Sequence, residues 1–121
     1  MKRDLDLLRN ILLKMEALGA GTKRLHQFRC LNDDDAVLTL HIQLLIDAGF
    51  IEVTDEVYTG DGTKDFLIQR ITFAGYDYLD TVRNDDTWLE IKQRLKKVGE
   101  SVSLDIVKSL GVAIIKQNLG I

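Results

Sequence analysis

A chain of 121 residues with 16 Lys and Arg against 19 Asp and Glu, net charge −3 and 45% apolar residues is one domain by length and of ordinary globular composition, which excludes a disordered polymer. A single cysteine, Cys30, rules out an internal disulfide and fits a reducing, cytoplasmic setting. The opening MKRDLDLLRN is broken by Asp4, Asp6 and Arg9, so neither a signal peptide nor a spanning helix is expected there, and no membrane association.

The first predicted element is a helix over Lys2–Leu18. Leu5, Leu8, Ile11, Leu12 and Met15 recur at helical spacing, and Gly19 and Gly21 end it. Thr22–Leu31 reads as a short strand or extended connector carrying Lys23, Arg24 and Arg29, anchored by Leu25 and Phe28. Asn32–Asp35, NDDD, supplies carboxylates suited to capping the next helix. That helix runs to about Ala48 and stops at Gly49, which takes a left-handed conformation without a side-chain penalty. Leu45 and Phe50 occupy the two positions that touch across such a stop. Leu38, Ile42, Leu45 and Ala48 form one face. Val37, Leu40 and Leu44 form a second strip, which the C-terminal helices or a second copy must cover.

Phe50–Tyr58 and Asp65–Thr72 read as two strands around the turn TGDGT, Thr59–Thr63; Ile51, Val53 and Val57 alternate with polar residues. Thr72 is a cap for a short helix holding Tyr76, Leu79 and Val82. Thr87 and Glu90 have capping-box spacing for a second helix with Trp88, Ile91, Leu95 and Val98. Ser103 caps the last, which carries Val107, Leu110, Ile114 and Ile115, with Gly120 beyond its end. The expected fold is α+β, a winged-helix-type core (helix, short strand, helix, β-hairpin) followed by about three helices. The chain divides into a core over 1–72 and a helical extension over 73–121, within one domain. Only one clear helix precedes the hairpin, where helix-turn-helix folds have two close together. A very short helix around Leu31–Asp35 is the candidate for the missing one.

The segment HIQLLIDAGFI, His41–Ile51, resembles the HLxLLxxAGLI stretch of many bacterial winged-helix regulators. The whole chain resembles an uncharacterised family of small bacterial and phage proteins. Its opening MKRDxDLxRxxLL is matched by Met1–Leu13, and its HLxLLxxAGLI by His41–Ile51. Its LTWxGHxFLDxxRDDxxW is matched by Ile71–Trp88, with Phe73 in place of Trp and Tyr76 in place of His. The resemblance implies a winged-helix fold and no particular activity.

Charge argues against the usual DNA-docking mode. Met1–Leu31 is net +4, Asn32–Gln69 net −8 and Arg70–Ile121 net +1. The helix and hairpin that would face a groove are the acidic part, with Asp33, Asp34, Asp35, Asp47, Asp55 and Glu56 set to repel phosphate. Lys2, Arg3, Lys23, Arg24 and Arg29 remain as candidate nucleic-acid contacts, against the plainer reading of a solvated surface.

Other constellations are thin. His26, Cys30 and His41 lack the fourth soft ligand of a structural zinc site; a surface His26 and a buried Cys30 account for them better. Asp33–Asp35 lacks the ligand spacing of a calcium loop. Gly60–Gly62 lacks the Lys-Ser/Thr pair of a phosphate cradle. Phe73, Tyr76, Tyr78 and Trp88 fit core packing better than base stacking. No catalytic motif is present, so no catalytic residue, cofactor or metal is expected. The leading expectation is a non-enzymatic regulatory or adaptor module acting through protein contacts, including a homodimer through Val37, Leu40 and Leu44 or through Val107, Leu110 and Ile114. The alternative is a DNA-binding transcription regulator using its N-terminal cations. An enzyme built on a hidden carboxylate pair is the third reading.

Overall fold

The computed structural model describes residues 2–58, 60, 64–99 and 102–121, with the side chains of 55–58 and 64 excepted. The order is α1 (Leu5–Leu18), a single 3-10 turn (Leu25–Phe28), α2 (Asp35–Asp47), β1 (Ile51–Tyr58), β2 (Lys64–Ile71), α3 (Phe73–Val82), α4 (Asp85–Lys96) and α5 (Leu104–Leu119). Among the described residues this is an α+β chain of five α-helices and one antiparallel hairpin, in a layout compatible with a winged helix. It forms two compact units, Met1–Tyr76 and Asp77–Ile121. The division falls inside α3 rather than at residue 72.

In the first unit, α1 starts three residues later than its apolar spacing suggested. Asp4 is its cap, with Oδ1 accepting from the Leu7 N–H at 3.1 Å, so the carboxylate satisfies an otherwise unpaired first-turn donor. Leu8, Ile11 and Leu12 are fully buried on its inner face.

Thr22–Leu31 is extended only at its start. The N–H and C=O of Lys23 both pair with Ile68 at 2.9 Å, adding a one-residue third strand beside β2. The chain then turns into the 3-10 segment, which buries Leu25 and Phe28. The short helix expected around Leu31–Asp35 is absent there, and a one-turn 3-10 segment stands upstream at Leu25–Phe28. The NDDD clump is instead a capping loop. Asn32 Oδ1 accepts from the Asp34 N–H, and Asp34 Oδ1 accepts from the Ala36 N–H.

The stop of α2 has both main-chain bonds of a Schellman ending. The Phe50 N–H donates to the Leu45 carbonyl and the Gly49 N–H to that of Ile46, each at 2.9 Å, with Gly49 at φ 76°. Leu38, Ile42 and Leu45 are fully buried, while Ala48 is exposed because the helix ends as it turns outward. Across the hairpin, Ile51 stands opposite Ile71 and Val53 opposite Ile68. Two register shifts skip Thr54 and Gln69, and the Gln69 amide bridges them, donating to Thr54 Oγ1 at 3.0 Å. The turn residues Thr59 and Asp61–Thr63, and the side chain of Val57, lie outside the described residues.

Thr72 joins hairpin to helix. Its hydroxyl donates to the Gly49 carbonyl and accepts from the Gly75 N–H, which caps α3. Gly75 packs so closely that an added Cβ would lie 2.1 Å from the Phe50 carbonyl oxygen.

In the second unit, α4 begins at Asp85, capped by Asn84 Oδ1 on the Thr87 N–H at 3.0 Å. The T-x-x-E spacing at Thr87 is therefore not the cap: Thr87 is buried within the first turn. Ser103 caps α5 as its position predicts, accepting from the Ile106 N–H. Tyr78, Leu79, Val82, Trp88 and Ile91 form the core of this unit with Val107 and Ile114 of α5. Thr81 and Ile91 close on the buried Gly111, which fixes the inner face of α5.

Candidate interaction surfaces

A nucleic-acid surface is built from cations whose donors point outward. Lys2 and Arg3 are exposed ahead of α1. Lys23 is 4% exposed. Its Nζ turns back into the chain and donates to the Gly21 carbonyl at 2.6 Å and to the Gly19 carbonyl. Its charge is held by the carbonyls that follow α1, where a cation suits the negative end of the helix dipole.

Arg24 donates from Nε and Nη2 to Asp65 Oδ2 at 3.0 and 2.7 Å. Asp65 also accepts on Oδ1 from the N–H of Leu25 at 3.1 Å and of Phe66 at 2.8 Å. Burial by itself pushes this carboxyl up. The Arg24 hydrogen bonds and the two backbone N–H groups outweigh burial and hold it below the usual carboxylate range. Arg29 makes a two-pronged pair with Asp35, Nε to Oδ1 at 2.9 Å and Nη2 to Oδ2 at 2.8 Å. The hydrogen bond and charge of Asp35 raise the guanidinium further above its ordinary value. Lys23, Arg24 and Arg29 are thus committed to acceptors within the chain.

The helix end that would enter a groove carries the opposite sign. In helix-turn-helix docking the N-terminal residues of the second helix meet the base edges. Here those positions are Asp33, Asp34 and Asp35, the first two exposed. The side chains of Asp55 and Glu56 lie outside the described residues.

The histidines and the cysteine do not converge. His26 and Cys30 are exposed, while His41 is 1% exposed. Cys30 departs from the buried position expected of it. It follows the 3-10 turn on its outer side while Leu25 and Phe28 take the inner one, and its thiol donates to the Gln27 carbonyl at 3.9 Å. His41 is engaged at both ring nitrogens, by the Asp4 N–H and the Val37 carbonyl. Among the described residues no group of three or more His, Cys, Asp or Glu side chains is placed to hold a metal ion.

The apolar candidates divide in a way that periodicity did not reveal. Val37, Leu40 and Leu44 are half-buried. Val107 and Ile114 are 0% and 1% exposed, on the face of α5 that packs inward, and Leu110 is half-buried beside them. Val107 and Ile114 are therefore core residues rather than a dimer seam. Of the aromatic group, Tyr78 and Trp88 are core, but Phe73 is 83% exposed and Tyr76 41%, so core packing accounts for only half of it. Among the described residues no helix is long and apolar enough to cross a membrane.

Comparison with known proteins gives a family. The family described as "Hypothetical protein (DUF2513)" matches residues 2–101. An uncharacterised protein of Haemophilus influenzae is 34% identical over 119 residues, covering 98% of this chain and 99% of its own length. No solved structure matches.

Proposed function

This chain belongs to the DUF2513 family, and from there we propose that it is a non-catalytic winged-helix-type module, a bacterial regulatory or adaptor protein of the cytoplasm that works through protein contacts, including contacts with a second copy of itself. One observation carries the reading: the cations nearest the helix-turn-helix segment are spent inside the chain, on Asp65, Asp35 and the Gly19 and Gly21 carbonyls, while exposed carboxylates stand where base edges would be read. Phosphate binding rests on releasing counterions through outward-facing Lys and Arg, and an acidic helix end repels the backbone within contact range, where salt screens little. The membership of Asp34 and Asp35 in caps and ion pairs also gives those carboxylates a folding role that needs no ligand. The cytoplasmic setting is supported by the lone, exposed Cys30, which is compatible with a reducing environment.

A gel shift with random-sequence duplex at about 50 mM salt tests the reading, because non-specific electrostatic binding is strongest there. The expected result is no shifted band at high micromolar protein. A shift that fades as salt rises would favour the alternative, a DNA-binding regulator using Lys2 and Arg3.

A further inference from the structure

Val107 and Ile114 face inward, but the opposite face of the same helix is open. Asp105, Ser109, Val112, Ala113 and Lys116 are exposed along it, with Lys108 at its margin. These positions recur at three- and four-residue steps, so they form one stripe along α5. Its two ends carry opposite charges and its middle is small. Val112 and the neighbouring Ile106 leave apolar surface in water, at 36% and 49% exposure.

We propose that this stripe docks against the same stripe of a second copy, as an antiparallel pair of α5 helices about a twofold axis that crosses the outer face at the level of residues 110–111. That operation sets Asp105 of each copy against Lys116 of the other. It sets Ser109 against Val112, and the aliphatic stem of Lys108 over Ala113. The complement of the face is therefore the face itself, as an isologous interface requires. A parallel pairing would bring Asp105 onto Asp105 and Lys116 onto Lys116, so charge selects the antiparallel arrangement. Ser109, Val112 and Ala113 let the two helices approach closely, while bulkier side chains there would hold them apart. The face is a single helix stripe, small beside a standard interface, so the expected self-association is weak. The proposal rests on the reading of this chain as a protein-contact module and says where the self-contact is made.

Sedimentation equilibrium of the full chain, from low micromolar to near-millimolar protein, tests it with a charge swap. The wild type is expected to dimerise with rising concentration. Asp105→Lys alone and Lys116→Asp alone each put like charges in register at both ends of the pair. Each is expected to weaken association at least tenfold while leaving the circular dichroism spectrum unchanged. An equimolar mixture of the two variants restores both opposite-charge pairs, and is expected to associate to within about threefold of wild type. A wild type that stays monomeric throughout, a dimer indifferent to either reversal, or a mixture no tighter than its components would each overturn the proposal. None of these outcomes touches the DNA result, so a failed dimer and a failed protein-contact reading remain distinguishable.

Discussion

The backbone N–H of Asp4 donates to Nε2 of His41 at 2.8 Å, joining the cap of α1 to the middle of α2 across 37 positions of chain. Because Nε2 accepts, the ring proton sits on Nδ1, which donates to the Val37 carbonyl at 2.8 Å. The imidazole is buried, and each ring nitrogen has a partner. One side chain thus ties the start of the first helix to the second.

Replacing His41 with Ala strands the Asp4 N–H and opens a cavity beside α1. The expected loss is about 2–4 kcal/mol, combining a part-buried donor left without its partner with lost packing around the buried ring. His26→Ala, at an exposed position, is expected to stay within about 0.5 kcal/mol of wild type. Urea denaturation of the two variants measures both.

Asp65 separates backbone anchoring from surface pairing. Its ion pair with Arg24 is 44% exposed on the arginine side, so Arg24→Ala should cost under about 1 kcal/mol. Asp65→Ala also strands the Leu25 and Phe66 N–H groups, and should cost about 1–3 kcal/mol at pH 7. The carboxyl sits below its usual range in the folded chain. Its contribution is therefore complete above the unfolded value, about 3.9, and is lost as pH falls from there toward the folded value. Wild type should lose stability in that acid window faster than Asp65→Asn does, as read by urea midpoints against pH.

Gly75→Ala reverses an ordinary helix rule. At an exposed helix site the change gains up to about 1 kcal/mol. Here the new Cβ would stand 2.1 Å from the Phe50 carbonyl oxygen and 2.7 Å from Ile71 Cγ2. Backbone must move, and the expected cost is at least about 2 kcal/mol, seen as a lower melting temperature.

Lys23→Met keeps the stem and removes the charge. Its ammonium is bonded to the Gly19 and Gly21 carbonyls, so the variant should lose about 1–3 kcal/mol. It should leave retention on heparin unchanged, because no phosphate or sulfate reaches that nitrogen. Lys2→Met, at an exposed position, should stay within about 0.5 kcal/mol of wild type.

Local chemistry was legible. Gly49, Leu45 and Phe50 disclose the end of α2 because a helix stop is written in a few adjacent residues, and Ser103 discloses the start of α5 for the same reason. The cap of α4 was misplaced because Asn84–Thr87 and Thr87–Glu90 both satisfy local rules, and only the burial of Thr87 separates them. The commitments of the cations were not readable. Arg24 meets a partner 41 positions away, and Lys23 is drawn inside by a bridge to Ile68 that only the folded hairpin creates. For α5, periodicity marked Val107 and Ile114 as apolar, but the side that turns inward depends on Thr81 and Ile91 closing on Gly111. The 3-10 turn at Leu25–Phe28 is too short to carry a helical repeat, although Leu25 and Phe28, three apart, are its one signal.

The most direct measurement is fluorescence anisotropy of a labelled random duplex, titrated at about 50 mM and about 200 mM salt with wild type and with a chain carrying Asp33→Lys and Asp47→Lys. Wild type should leave the signal flat at both, while the charge-reversed chain should bind at the lower salt and release at the higher. Saturable wild-type binding at low salt, weakened by salt and unimproved by the two reversals, would contradict the account.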